Sequence, residues 1–152
     1  MLLGVDMDFQ RLVEIRDDFN LNQRDVAMIL GVTQQTYSLW ERGNKIIPLR
    51  QLNALCNYYG VSMDYILGLD NINCFAGILK ELDKAIIGRR LKSFRLERGI
   101  TQDEIAHMLN TTHSTISAYE NGKTTILTAF AYEICKRYNI SMDYLCGRVN
   151  KK

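Results

Sequence analysis

The seven residues SMDYILG at 62–68 return as SMDYLCG at 141–147, and the match does not stop at the edges of the phrase. Residues 11–68 slide onto 90–147 at a constant offset of 79 without a gap, and 19 of the 58 pairs are identical. Arg11/Arg90, Arg16/Arg95, Gln23/Gln102, Ala27/Ala106, Thr33/Thr112, Glu41/Glu120 and Tyr59/Tyr138 are among them. Other pairs exchange like for like, such as Val26/Ile105 and Leu55/Ile134. A repeat of this length has to be settled before any fold is considered, because each copy must then be one packing unit. The chain is a duplication.

Four aligned positions filled by Gly or Asn mark where the elements end. Asn20/Gly99, Gly31/Asn110, Gly43/Gly122 and Gly60/Asn139 draw on the two residue types that tolerate the left-handed conformation in which helices stop. Between these stops lie helix starts. Thr101 and Glu104 form a capping box, Asn22 and Asp25 a weaker one, and Thr33/Thr112 and Ser62/Ser141 are N-caps. The pattern predicts five short helices per copy, near 8–19, 23–30, 34–42, 49–59 and 63–67 in the first. No run alternates with period two, so no strand is expected. Between the copies, Phe75, Ile78, Leu79 and Leu82 fall at helical spacing, which predicts an amphipathic helix in the connector, running into the first helix of the second copy. Its stripe has two open uses, packing on a repeat or forming a dimer interface.

Composition narrows the class. With 47% apolar and 24% charged residues, the chain suits a core-burying globular protein rather than a disordered one. The apolar start is short and broken by Asp6 and Asp8, so neither a signal peptide nor a membrane span is expected, and a cytoplasmic location follows as the expectation. Cys56, Cys74, Cys135 and Cys146 form no C-x-x-C pair, and His107 and His113 lack zinc-finger spacing, so reduced thiols in or near cores and no metal are expected. No recognisable triad surrounds the histidines, and neither catalysis nor a cofactor is expected.

The third helix of each copy, QQTYSLWER and HSTISAYEN, has two unlike sides. Tyr37 and Trp40, or Ile116 and Tyr119, fall together. Opposite them lie Gln34, Gln35, Ser38 and Leu39 in one copy, and His113, Ser114, Ser117 and Ala118 in the other. A surface kept for solubility alone is rich in Lys and Glu. An uncharged face of amides, hydroxyls and small apolar groups matches the donors, acceptors and thymine methyls of the DNA major groove. Such a face could equally pack on another helix. The element before it favours DNA: a helix with a small residue at Ala27/Ala106, a tight turn at Gly31 or Asn110, and a capped helix make a helix-turn-helix.

At this point the chain resembles a family. TQDEIAHMLNTTHSTISAYENGK with ISMDYLCG, and NQRDVAMILGVTQQTYSLWERGNKIIP with VSMDYILG, are each similar to the lambda-repressor-like helix-turn-helix domain of phage repressors, Cro proteins and bacterial regulators. The resemblance covers residues 8–68 and 87–147. It implies an all-α fold of two tandem five-helix domains, 1–68 and 85–152, joined by a short helical connector at 69–84. It also implies a double-stranded DNA partner. By position, Gln34, Gln35, Ser38, Leu39, His113, Ser114, Ser117 and Ala118 would face bases. Gln23, Thr36, Arg42, Lys45, Gln102, Thr115, Asn121 and Lys123 would hold phosphates. Arg16–Glu41 and Arg95–Glu120 match a structural ion pair of the family, and SMDYxxG becomes a Ser-capped closing helix whose Tyr and Leu/Ile side chains seal the core. Two features depart from the pattern. Leu127 replaces Pro48 at the start of the fourth helix, and neither reading helix has Arg or Lys at its sixth position.

The copies are not electrically equal. Residues 1–72 hold six Lys and Arg against nine Asp and Glu, net −3, whereas residues 73–152 hold thirteen against eight, net +5. Non-specific DNA affinity comes from cations near phosphates, so the second copy is the better equipped. The expectation is a sequence-specific regulator, a repressor reading a bipartite site. The alternative is a protein-interaction or antitoxin-like module on the same fold. Homodimerisation through the connector helix or the first domain is the open protein partner.

Overall fold

In a computed structural model that describes residues 7–152, the chain divides into two compact units, Met1–Lys80 and Glu81–Lys152. Part of the apolar start lies outside the described residues. The described residues contain ten helices and no strand. Unit 1 holds α1 (Gln10–Asp18), α2 (Gln23–Leu30), α3 (Gln34–Glu41), α4 (Leu49–Tyr59) and α5 (Met63–Ile66). Unit 2 repeats them as α6 (Lys84–Glu97), α7 (Gln102–Met108), α8 (His113–Glu120), α9 (Thr128–Tyr138) and α10 (Met142–Leu145). None of these helices is long and apolar enough to cross a membrane.

The helix boundaries follow local chemistry. Asn22–Asp25 and Thr101–Glu104 both close full capping boxes, each pairing a side chain and a backbone amide in both directions. Thr33, Thr112, Ser62 and Ser141 accept from the backbone N–H three residues on. Asn20, Asn110 and Asn139 take φ of 55°, 52° and 54°, the left-handed values that glycine supplies at the aligned positions. Pro48 and Leu127 share one geometry despite their chemistry, φ −62° and ψ 148° against φ −64° and ψ 141°, so the fourth helix begins alike in both units.

Each core is a small set of fully enclosed aliphatic and aromatic side chains. Leu12, Val26, Tyr37, Leu52, Leu55, Met63 and Ile66 fill unit 1, and Leu91, Ile105, Leu109, Ile116, Ile134 and Met142 fill unit 2. The repeated phrase works differently from the sequence expectation. Met63, Ile66 and Leu67 do the sealing, while Tyr65 is only half-buried. The Tyr65 ring lies 4.4 Å from the Arg11 guanidinium, which also donates to the carbonyls of Tyr65 (2.5 Å) and Asp70 (2.7 Å). Arg90 repeats this over Tyr144 at 4.4 Å, donating to the carbonyls of Tyr144 and Val149. The phrase therefore ties the fifth helix to the first through an arginine fork and a cation–π contact.

The helical connector is not formed. Residues 69–83 carry no helix, and α6 starts at Lys84 with Asp83 as N-cap. The reason is a better set of partners for the extended backbone. Asn53 and Asn57 of α4 donate to the Leu79 carbonyl at 2.9 and 2.7 Å, and Asn57 accepts from the Leu79 amide at 3.3 Å. Asn73 bonds the Ser62 amide and the Gly60 carbonyl, and Gly77 stands at φ 118°, outside any helix. Ile78 is 75% exposed, so the apolar spacing marks no buried stripe. Cys74, on this segment, is exposed, whereas Cys56, Cys135 and Cys146 are buried.

The second unit gains an extra helical turn instead. Gly88 lies where α6 crosses the end of α8, and a Cβ there would stand 2.8 Å from the Glu120 carbonyl oxygen and closer still to that of Tyr119. In an open helix Gly→Ala gains ~0.5–1 kcal/mol. Against two backbone carbonyls the overpacking cost, ~1–3 kcal/mol, is larger. Gly88→Ala is predicted to lower the unfolding midpoint of unit 2, and a raised midpoint in thermal or urea unfolding would contradict this packing. Glu120→Ala leaves Arg95 enclosed without its carboxylate and should cost ~3–5 kcal/mol. Calorimetry should show a clear fall in Tm, and an unchanged Tm would refute the coupling of α6 to α8.

Candidate nucleic-acid interface

The candidate surface is assembled by fixing α3 on α2 and α1, and α8 on α7 and α6. One side of α3 is buried, with Tyr37 at 0% and Trp40 at 4% exposure, their rings 6.1 Å apart edge to face. In α8 the same side carries Ile116 and Tyr119, both buried. The outer sides are then forced. Gln34 and Gln35 are exposed and Ser38 and Leu39 half-buried; His113 and Ser114 are exposed and Ser117 and Ala118 half-buried. All eight residues expected to face bases sit on the outer sides of these two helices.

What fixes the helices is a buried ion pair. In unit 2 the Arg95 Nε donates to Glu120 Oε1 at 2.6 Å and Nη2 to Oε2 at 3.1 Å, while Nη1 donates to the Ile100 carbonyl at 3.0 Å. Unit 1 repeats this with Arg16 on Glu41 at 2.6 and 3.3 Å, and on the Leu21 carbonyl at 2.8 Å. Hydrogen bonding to the carboxylate holds both guanidinium groups above their ordinary pKa. For Glu41, burial favours the neutral acid, but the hydrogen bonds from Arg16 and Gln23 outweigh it and hold the carboxyl below its ordinary range. Burial, with Glu41 alongside, pushes the Tyr37 phenol up, and Tyr59 is pushed up to about 12 by its own burial.

The first residue of the second helix has a role that the sequence did not reveal. Gln23 and Gln102, expected at phosphate, each donate an amide N–H to the buried carboxylate, Glu41 Oε2 and Glu120 Oε2, both at 2.8 Å. An amide has two N–H donors, so each glutamine can brace the pair and keep one donor in hand. The invariant Gln across the two copies was the available signal.

The remaining expected phosphate contacts surround α3 and α8. Thr36 and Thr115 are half-buried, their hydroxyls bonded at 2.9 Å to those of the capping Thr33 and Thr112. Arg42, Lys45, Asn121 and Lys123 are exposed just past the helix ends. The Arg42 Nε lies 3.4 Å from the Ser38 carbonyl, and Asn121 donates to the Ser117 Oγ at 3.2 Å. Two residues near this surface were not anticipated. Lys84 donates to the Lys123 carbonyl at 3.2 Å, bringing a second ammonium beside Lys123. Asp103, the second residue of α7, lies 2.8 Å from the Nδ1 of His113. The aligned pair in unit 1 is Arg24 and Gln34, so this bond belongs to unit 2 alone.

Comparison with known proteins agrees with this geometry. A helix-turn-helix family model matches the chain twice, at residues 12–66 and 91–145. The chain is 38% identical over 68 residues to the HTH-type transcriptional regulator ImmR of Bacillus subtilis, covering 43% of this chain and 54% of that protein. It is 38% identical over 60 residues to the HTH-type regulator YobD of the same organism, covering 40% and 54%. Antitoxin PezA of Streptococcus pneumoniae is 34% identical over 62 residues, covering 41% and 39%. The chain thus spans about half the length of these relatives or less. With both repeats matched end to end, it belongs to the helix-turn-helix family as two tandem domains of the lambda-repressor-like type.

Proposed function

We propose that the protein is a sequence-specific double-stranded DNA-binding transcriptional regulator, acting as a repressor, that reads a bipartite site with α3 and α8. The observation that carries the reading is the pair of uncharged outer faces, each on a helix braced by a buried ion pair and flanked by cations. Amides at Gln34 and Gln35 suit bidentate pairing with adenine, and Ala118 suits a thymine methyl. Arg42, Lys45, Lys84 and Lys123 suit phosphates, which give affinity without sequence information. The regulator names of ImmR and YobD point the same way.

Two unlike reading faces on one chain favour two unlike half-sites. Linking weak binders raises their joint affinity through effective concentration when both can engage. The acidic first copy then depends on the second to hold it on DNA. The antitoxin name of PezA favours a protein-binding module as the second reading, but that match covers 39% of PezA and is about the size of one helix-turn-helix repeat.

A gel shift on genomic fragments over a salt series separates these readings. Affinity falling steeply with salt and varying among fragments supports the regulator, and no shift at low salt refutes it. Once a bound fragment is in hand, Gln34→Ala or Gln35→Ala should relax preference at particular base pairs by ~1–3 kcal/mol. Lys123→Ala should weaken binding to all sequences alike and reduce the salt slope by about one. A uniform loss from both glutamine changes would show that α3 does not read bases.

A further inference from the structure

The Asp103–His113 bond bears on what unit 2 reads. His113 opens α8, and its side chain is 57% exposed, while Asp103 is 80% exposed on the neighbouring helix. The contact is between Asp103 Oδ1 and His113 Nδ1, at 2.8 Å. A carboxylate can only accept, so the shared proton is carried on Nδ1. In a neutral imidazole this leaves Nε2 with its lone pair and no proton. Isolated imidazole side chains favour the opposite tautomer, with the proton on Nε2. The carboxylate therefore selects which ring nitrogen is a donor and which an acceptor.

That choice sets the polarity of any base contact. In the major groove, adenine N6 and cytosine N4 present donors, whereas guanine N7 and O6 and thymine O4 present acceptors. We propose that Asp103 is a positioning residue that holds His113 with Nε2 as an acceptor, so that unit 2 reads an exocyclic amino group, adenine N6 or cytosine N4. The assignment rests on the DNA-reading role given to α8 above. Asp103 also brings a negative charge close to where phosphates would lie, at the place where unit 1 has Arg24. A carboxylate there weakens non-specific binding, so its removal acts oppositely on affinity and on selectivity.

The test uses the intact chain and selection of bound sequences from a random DNA pool, with Asp103→Ala, Asp103→Asn, His113→Ala and the double variant Asp103→Ala/His113→Ala. The wild type should prefer adenine or cytosine on the contacted strand at one base pair, and the pool tells which. Asp103→Ala should lower that preference by on the order of five- to ten-fold, the lower end of one good base contact, while affinity for unrelated DNA stays or rises. Asp103→Asn can turn its amide NH2 toward Nδ1 and donate, which favours the Nε2–H tautomer, so it should lose the preference much as Asp103→Ala does. The double variant should show no further loss beyond His113→Ala. Nitrogen-15 shifts of the His113 ring in the DNA-free protein give an arm independent of base reading: Nδ1–H in the wild type, shifting toward Nε2–H in Asp103→Ala. An unchanged tautomer, or a preference for guanine or thymine at the contacted position, overturns the proposal. If the tautomer shifts as expected but His113→Ala alters no base preference, the reading role of α8 fails and takes the specificity assignment with it.

Discussion

The outer faces of α3 and α8 depend on a carboxylate that never reaches the surface. Glu41 and Glu120 have side chains 3% and 1% exposed, and each receives two guanidinium N–H groups and a glutamine amide. Enclosing such a charge costs several kcal/mol, recovered only when the geometry is good and the remaining lone pairs are filled. Both conditions hold, because the arginine comes from the first helix, the glutamine from the second and the carboxylate from the third. Three helices are thereby set in register at one point. An apolar cluster of equal volume could hold them as firmly, but it would tolerate small slides. A bidentate pair with a third donor does not, and base contacts depend on placement of that order.

Duplication makes each unit a control for the other. The ion pair, the caps, the left-handed stops and the arginine fork over Tyr65 and Tyr144 occur twice with near-identical distances, so they belong to the fold. Other features occur once. Asn53 and Asn57, which hold the connector against α4, are Tyr132 and Lys136 in unit 2. Gly88, which admits the extra turn of α6, replaces Phe9. The Asp103–His113 bond replaces Arg24 and Gln34. The unique features lie where α4 holds the connector, where α6 crosses α8, and on the outer side of α7 and α8.

The same division explains what the sequence made legible. Caps and left-handed stops were readable because their chemistry is complete within four residues, as at Thr101–Glu104 and Asn139. The outer faces of α3 and α8 were readable because, at 100° per residue, Tyr37 and Trp40 fall on one side of the helix and Gln34, Gln35, Ser38 and Leu39 on the other. The connector was misread because helical spacing of Phe75, Ile78, Leu79 and Leu82 carries no trace of two asparagines more than twenty positions earlier. Gly88 was invisible as a contact point, since a helical glycine names no neighbour. Tyr65 and Tyr144 were assigned to sealing the core because an aromatic in an apolar phrase reads as packing, although their rings serve as plates for arginine.

The central claim is that one chain reads DNA with two different faces. Its most direct test is selection of the sequences bound by the intact protein from a random double-stranded pool long enough to hold two half-sites. The predicted result is one enriched site with two dissimilar halves, centred about one helical turn apart, roughly 34–36 Å, the spacing that paired helix-turn-helix domains use. Enrichment of a single half-site, or of a palindrome with two identical halves, would contradict it.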